Sequence, residues 1–426
     1  MRDLNHLLNR PLTSYYLLVG SSSLLIALGL LMVLSSSMVD SYADTGSAFT
    51  LFLRQVVSAA VGLPIMVLAA HLPVRVFRMV GYPMMLASIA LLVLTVFRGT
   101  ELLGATRWLE IGGLTFQPSE PAKLAFALWG ASVLARKDEL KELVEWRQLL
   151  FPLLPGCAIL VLLVLLGTDL GTTMVLMTIF LALLWVVGAP SKLFIAMFGL
   201  VLSLAGIMIA VEPFRLVRIV SFMDPEADPS DAGYQLKHGL YALGTGRLFG
   251  VGIGGSREKW GYLPHGESDF IFAILGEELG LLGSLLVVGL FGLLGYAGLR
   301  IASRAKDPFT RLAAVSVTAW IVVQALVNIG TVIGMLPITG IPLPLVSAGG
   351  SSLIPTMAGL GILLALARAE PDARKVLDAR GPGRIQRALS WLGLDHAEPQ
   401  RKSGPAERPK GEARPTEAQS RRNRRR

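Results

Sequence analysis

The sequence predicts an all-α polytopic membrane protein with about ten transmembrane helices. Hydrophobic residues make up 53% of the 426 residues, and charged residues make up only 16%. A soluble protein needs a largely polar surface, and the mean hydropathy of +0.60 is too high for such a surface. Apolar runs of about 20 residues, the length that crosses a bilayer core, recur along the chain. The bilayer is therefore predicted to be the solvent for most of this protein.

Ten spans can be marked off in order, because charges and Pro or Gly breaks separate the apolar runs. The predicted limits are 15–37, 51–71, 79–97, 121–135, 149–166, 171–188, 193–212, 271–297, 312–335 and 351–368. The fourth run is short, and Pro121 suits the first turn of a helix, so this helix is predicted to begin before Pro121. No small-residue cleavage site follows the first run, which predicts a retained span rather than a removed signal peptide.

Positive charge in the short loops predicts the orientation, because Lys and Arg are retained on the cytoplasmic side. The alternate loops that carry this charge contain Arg2, Arg10, Arg75, Arg78, Arg136, Lys137, Lys141, Arg147, Lys192, Arg300, Arg304, Lys306 and Arg311. Both termini, residues 1–14 and 369–426, are therefore predicted to be cytoplasmic. The membrane domain, 15–368, then contains a long extracytoplasmic loop at 213–270, between helices seven and eight.

The C-terminal tail accounts for most of the net charge of +9. Residues 369–426 hold 15 Lys or Arg against 8 Asp or Glu, a difference of +7, so the membrane domain is nearly neutral and no nucleic-acid partner is predicted. The tail is rich in Pro, Gly, Arg and Glu and is predicted to be mostly disordered. Within it, 384–394 could form an amphipathic helix on anionic lipid. Cys157 is the only cysteine, so no disulfide is available within the chain.

Two polar clusters fall at the predicted extracytoplasmic ends of the spans. The first is GATRWLEIGGLTFQPSEPAKL at 104–124, whose candidate residues are Arg107, Trp108, Gln117, Ser119, Glu120 and Lys123. Lys123 lies about one turn inside the fourth span, where its charge must be paired, contact an anion or snorkel to the interface. The second cluster is TDLGTT at 168–173, in which Asp169 is predicted to cap the sixth helix.

The third cluster is the long loop at 213–270. Its basic residues, which run against the positive-inside tendency and indicate an anionic ligand, are Arg215, Arg218, Lys237, Arg247, Arg257 and Lys259. Glycines at 244–255 permit close approach to a ligand or irregular backbone at membrane level, and a flexible loop is the alternative. Asp269 is a candidate general base or a helix cap. At least one of Glu277 and Glu278 should face the bundle interior.

The fourth cluster, LPITGIPLPLVSAGGSS at 336–352, interrupts the apolar pattern with prolines and glycines. Broken backbone near membrane depth must be buried in protein or line a cavity. We therefore expect Pro344, Ser347, Gly349 and Gly350 to form a wall of the site.

Over about residues 10–370 the chain resembles the SEDS family (shape, elongation, division and sporulation). It resembles the cell-division branch of that family more than the elongation branch. The motifs that carry the resemblance are GATRWLEIGGLTFQPSEPAKL, TDLGTT, FRLVRIVSFMDPEADP followed by GYQL, YLP before DFIFAILGEELG, and the segment from Asn328 to GMLPITGIPLPLVSAGGSS.

The resemblance implies a peptidoglycan glycosyltransferase of the bacterial cytoplasmic membrane, acting at the division septum. It would polymerise lipid II on the extracytoplasmic face, together with a class B penicillin-binding protein as transpeptidase and with other division proteins. Asp269 would be the general base, and Lys123, Arg215 and Arg218 would neutralise the lipid diphosphate. The other implied substrate-binding residues are Arg107, Trp108, Glu120, Gln117 and Ser119. No cofactor is required, although a divalent cation, Mg²⁺ or Mn²⁺, could accompany the diphosphate.

The chain departs from the family pattern beside Asp269. The family commonly has Pro-Glu-Ala-His-Thr there, whereas this chain has Pro264, His265, Gly266, Glu267 and Ser268. Ala348 stands where an aromatic residue is usual. A lipid II flippase is the alternative function, and a non-catalytic scaffold is a third. Alternating access favours a site at the membrane midplane, whereas the polar clusters here are predicted on one face.

Overall fold

The computed structural model describes residues 11–102, 105–111, 114–140, 150–197, 199, 206, 232–380 and 387. The helices are α1 (Thr13–Thr45), α2 (Thr50–His71), α3 (Val74–Arg98), α4 (Ser119–Glu139), α5 (Leu153–Leu166), α6 (Leu170–Val187), α7 (Ala232–Gly246), α8 (Ile271–Arg304), α9 (Pro308–Val332), α10 (Gly350–Arg368) and α11 (Pro371–Arg380). The strands are β1 (Thr100–Leu102), β2 (Ala105–Ile111) and β3 (Leu114–Phe116).

The protein is a mostly helical membrane protein, as the hydropathy predicts. In the described part of the chain, seven helices are long and apolar enough to cross a bilayer: α1, α2, α3, α6, α8, α9 and α10. They correspond to the first three predicted spans and to the sixth, eighth, ninth and tenth. The fourth span is α4, and the fifth is the shorter α5. The seventh predicted span, 193–212, lies mostly outside the described residues, so the total of ten stays a prediction.

The small antiparallel sheet is a departure from the all-α prediction. Its strand order is β1-β2-β3, with Thr100 paired to Trp108 and Leu109 paired to Phe116. Strand β2 is rich in β-branched and aromatic residues, and glycines flank it, which favours a short meander. The sheet lies at the end of the helix bundle where α3 ends and α4 begins.

Helix α4 begins at Ser119, before Pro121, as predicted, and is buried from Ala122 to Ala135. It packs against α3, α6 and α9, so a helix that carries charges at both ends occupies the middle of the bundle. Small residues bring the helices close together. A methyl group on Gly298 of α8 would lie 1.9 Å from Thr318 Oγ1 of α9, which is the close approach that small residues permit in a bilayer.

Residues 371–380, at the start of the predicted tail, form the helix α11, and the prediction that the tail is mostly disordered stays a prediction. Glu370, between α10 and α11, is 7% exposed, and its Oε2 lies 3.9 Å from Arg304 Nη1 at the end of α8. Burial raises the pKa of the Glu370 carboxyl. The predicted amphipathic segment 384–394 lies outside the described residues except for position 387.

Candidate functional site

Asp269 lies at the turn that precedes α8, with Phe270 at the N-cap position. The backbone around Asp269 is tied to a second segment, the proline-rich loop, residues 336–349. Asn328 Nδ2 of α9 donates to Asp269 O at 2.7 Å and to Ile341 O at 2.8 Å. A methyl group on Gly340 would lie 3.5 Å from Asp269 Oδ2, so the carboxylate is aimed at the proline-rich loop.

Ser347 makes the second tie between the two segments. Its Oγ donates to Ser268 O at 2.6 Å and accepts from Leu343 N at 2.8 Å. Gln55 of α2 holds the same loop from the other side, because Nε2 donates to Ser347 O and Oε1 accepts from Gly349 N, each at 3.0 Å. Asp269 is thus fixed relative to the proline-rich loop by hydrogen bonds from two helices.

The predicted wall residues belong to this loop or directly follow it. Pro344 and Ser347 are buried, whereas Gly349 and Gly350 are partly exposed. Gln55 was missed by the sequence reasoning, although an amide inside an apolar run that must find hydrogen-bond partners was a usable signal.

Lys123 is buried and paired, which excludes snorkelling in this structure. Its side chain is 1% exposed, and Nζ donates to Glu120 Oε1 at 2.8 Å and to Gln324 Oε1 at 2.9 Å. Trp320 Nε1 donates to the same Gln324 oxygen at 2.8 Å. Gln324 Nε2 donates to Pro342 O at 3.0 Å, so the Lys123 pair is connected to the proline-rich loop that holds Asp269.

Asp169 has two roles. It caps α6, as predicted, since Oδ1 accepts from Thr172 N at 3.0 Å. It also joins the first cluster: Gln117 Nε2 donates to Asp169 Oδ2 at 3.1 Å, and Arg107 Nη1 lies 3.9 Å from Oδ1. Gln117 Nε2 also donates to Ser119 Oγ at 3.1 Å.

Arg107, Ser119 and Asp169 line a small crevice with a volume of about 10 Å³, which is room for about one water molecule. Its remaining lining residues are Leu92, Thr95, Val96, Leu163, Val164 and Gly167. Trp108 follows Arg107 on β2 and is partly buried.

Glu267 lies close enough to Asp269 for the two carboxylates to interact. Burial raises the pKa of the Glu267 carboxyl, and nearby Asp40 and Asp269 raise it further, whereas His265 lowers it. The Glu267 carbonyl accepts from Ala348 N at 3.0 Å, which is another contact with the proline-rich loop. The departure from the family motif therefore places a second carboxyl group beside Asp269.

A buried ion network lies in the loop that leads to Asp269. Lys259 Nζ donates to Glu278 Oε1 at 3.1 Å and to Ser35 Oγ of α1 at 3.2 Å. Glu277 accepts from Ser256 Oγ and Arg257 N at 2.5 and 3.0 Å. Glu277 and Glu278 are 0% and 1% exposed, which confirms the prediction that at least one faces the interior.

Two predicted diphosphate ligands, Arg215 and Arg218, lie outside the described residues. Lys237 Nζ lies 6.0 Å from the centroid of the Tyr241 ring. Within the described ranges, no three His, Cys, Asp or Glu side chains converge as metal ligands.

The fold and the polar residues define a class: a polytopic membrane protein whose polar side chains converge at one end of the helix bundle. Residues 15–371 match the family described as "Cell cycle protein". The chain therefore belongs to the SEDS family of cell-division, elongation and sporulation proteins.

Similar proteins share most of the chain. "Probable peptidoglycan glycosyltransferase FtsW" of Mycobacterium tuberculosis is 41% identical over 384 residues, 90% of this chain and 73% of the relative. "Stage V sporulation protein E" of Bacillus subtilis is 36% identical over 83% of this chain and 96% of its own length.

Two solved structures are also similar, each at 29% identity over 83% of this chain. One is described as "Structural coordination of polymerization and crosslinking by a peptidoglycan synthase complex", with a TM-score of 0.68 and 97% of that chain covered. The other is the rod shape determining protein RodA of Thermus thermophilus, with a TM-score of 0.60 and 96% covered.

Proposed function

We propose that this chain is a peptidoglycan glycosyltransferase that polymerises lipid II during septal cell-wall synthesis. The single observation that carries the proposal is the placement of Asp269, which precedes α8 and whose backbone carbonyl accepts from Asn328, the residue that also binds the proline-rich loop. The names of the relatives support the activity, and the contacts around Asp269 support its role as a fixed base.

The reaction joins two lipid-linked disaccharides. Asp269 accepts the proton of the acceptor sugar hydroxyl as that oxygen attacks the anomeric carbon of the donor. A new glycosidic bond forms, the bond between the anomeric carbon and the diphosphate oxygen breaks, and the lipid diphosphate leaves. One direct displacement inverts the anomeric configuration and requires no covalent nucleophile.

Charge that develops on the diphosphate is neutralised by basic side chains, for which we propose Lys123, Arg215 and Arg218. Lys123 is bound to Glu120 and Gln324 in this structure, so contact with the diphosphate requires that Nζ exchange one of these partners for a phosphate oxygen. Arg107, Trp108, Gln117, Ser119 and Glu120 complete the proposed substrate site.

The site is proposed to face the extracytoplasmic side, because the basic short loops predict the opposite orientation for the other end of the bundle. The proposed partner is a class B penicillin-binding protein that cross-links the product, and the similar peptidoglycan synthase complex supports such an assembly. A Mg²⁺ or Mn²⁺ ion on the diphosphate stays a prediction, which a chelator added to the assay tests.

The test is polymer formation from purified lipid II by the full chain with its class B partner, whose transpeptidase is blocked. Asp269→Ala is expected to abolish the polymer. Asp44→Ala, which changes an exposed carboxylate near the end of α1, is the matched control and is expected to stay active. Polymer from Asp269→Ala would refute the assignment of the base. No polymer from any variant, with lipid II moved across vesicles by all of them, would favour the flippase instead.

A further inference from the structure

The segment after α7, which belongs to the predicted extracytoplasmic loop 213–270, exposes large apolar side chains. Leu248, Phe249 and Ile253 are 56%, 79% and 61% exposed. Val251, between them, is 43% exposed. Exposed apolar patches of this kind are rare on soluble surfaces and mark contact with a membrane or a partner.

The backbone of this segment pairs with α8 at a break in that helix. Gly280 has a φ of 69°, and the broken helix leaves free backbone groups on both sides. Val251 N donates to Glu277 O at 2.9 Å, and Leu281 N donates to Arg247 O at 2.9 Å. Irregular backbone survives at membrane depth only when its polar groups are satisfied in this way.

This pairing makes the segment continuous with the lipid-facing surface of α8. Leu282 N donates to Leu248 O at 3.3 Å. Directly below, Leu281, Leu282 and Leu285 are 48%, 55% and 55% exposed, as expected for side chains that face acyl chains. The apolar surface of the membrane helix thus runs onto Leu248 and Phe249, with the exposed Arg247 beside the junction.

The positions of the charged residues in α8 indicate how deep in the membrane residues 247–255 lie. No charged residue occurs from Leu279 to Leu299, a stretch about 30 Å long at 1.5 Å per residue, which matches the hydrocarbon thickness of a bilayer. Gly280 therefore lies at one hydrocarbon boundary, and the segment paired to it lies at the same level. Trp260, 66% exposed, is an aromatic residue of the type enriched at that boundary.

We propose that residues 247–255 lie in the boundary between headgroups and acyl chains of the outer leaflet, with Leu248, Phe249 and Ile253 in contact with the acyl chains. Glycines make this placement feasible. A methyl group on Gly250 would lie 2.1 Å from Glu278 O, so only glycine lets the segment lie this close to the broken helix. The partner of this surface is the bilayer itself.

Fluorescence quenching in lipid nanodiscs tests the proposal without measuring enzymatic activity. Cys157 is the only cysteine and is 2% exposed, so the unaltered chain is the labelling blank. Phe249→Cys and Ile253→Cys receive an environment-sensitive fluorophore. The matched controls are Leu285→Cys, on the lipid-facing side of α8, and Ser47→Cys, in the exposed turn after α1. Quenchers are nitroxide carried on lipid acyl chains near the headgroup and iodide in the buffer.

The expected result is that labels at 249 and 253 behave like the label at 285: they are quenched by the lipid nitroxide, and iodide quenches them about threefold less than the label at 47. Strong iodide quenching without nitroxide quenching would overturn the proposal in favour of an aqueous loop. Quenching by neither agent would overturn it in favour of coverage by protein.

Discussion

Substitutions of Lys123 and Glu120 can separate a structural role of Lys123, which is pairing with Glu120, from its proposed chemical role at the diphosphate. Lys123→Met removes the one ammonium that contacts Glu120, whose carboxyl is 2% exposed and whose Oε2 already has no hydrogen-bond partner among the described residues. Breaking a buried ion pair in this way costs about 3–5 kcal/mol, because it leaves an uncompensated charge. Adding Glu120→Gln removes that charge, and the double variant is expected to recover most of the loss.

The free energy of unfolding is measured for the wild type, both single variants and the double variant in mixed detergent micelles. The expected coupling between positions 120 and 123 is about 3 kcal/mol. Polymerisation of lipid II is measured on the same four proteins. If Lys123 neutralises the diphosphate, the double variant is stable yet about 10²–10³-fold slower than Glu120→Gln alone. A double variant as fast as Glu120→Gln would refute the chemical role and leave Lys123 as a purely structural residue.

Three further perturbations test other parts of the structure. Gly280→Ala is expected to lower the free energy of unfolding by about 1–3 kcal/mol, since it places a Cβ on a backbone with positive φ. The control Gly289→Ala, in open space on the same helix, is expected to be neutral or slightly stabilising. Equal unfolding free energies for the two variants would contradict this prediction. The pKa of Glu267 is raised in the folded state, so its contribution to stability falls as pH rises from about 4.3 through the raised value and is constant above it. Burial also raises the pKa of Glu370, so Glu267→Gln should reduce but not abolish the slope in a pH series of melting temperatures, and a slope as steep as that of the wild type would contradict the assignment. Lys259→Met should lower the free energy of unfolding by about 3–5 kcal/mol, because it leaves the buried carboxylate of Glu278 without its ion-pair partner. The control Lys375→Met, at an exposed position, should not change the free energy of unfolding. Similar values for the two variants would show that the buried network does not contribute to stability.

Hydropathy and motifs predicted much of the fold. Helices α2 and α10 lie within one residue of their predicted limits; α2 ends shortly before Pro73, and α10 begins at Gly350 and ends at Arg368. Helix α1 runs eight residues beyond its predicted end, to Thr45, since serine and aspartate continue a helix without continuing an apolar run. The strands at 100–116 were missed because β1 and β3 have only three residues each, and because the seven residues of β2 do not alternate cleanly, since the apolar Trp108 and Leu109 are adjacent.

The site was only partly predictable. The sequence marked Asp169, Lys123 and Asp269 by their unusual positions, and it correctly gave Asp169 as a cap. It did not show that Lys123 finds Gln324, or that Gln55 holds residues 347–349, because these partners come from helices distant along the chain. Such pairings depend on how the helices pack, which no local pattern encodes.

The hydrogen bonds that join Asp269 and Ser268 to the proline-rich loop are relevant to inhibitor design. Asn328 holds the backbone of Asp269 and of Ile341 with one amide, and Ser347 joins residues 268 and 343 with one hydroxyl. Because these bonds couple Asp269, the proposed general base, to the proline-rich loop, a displacement of the loop is expected to displace Asp269 as well. A small molecule that binds between this loop and α2 and separates them would therefore displace the Asp269 carboxylate without contacting it. Drug discovery against this protein can therefore begin with the loop, where a binder need not imitate a sugar or a diphosphate.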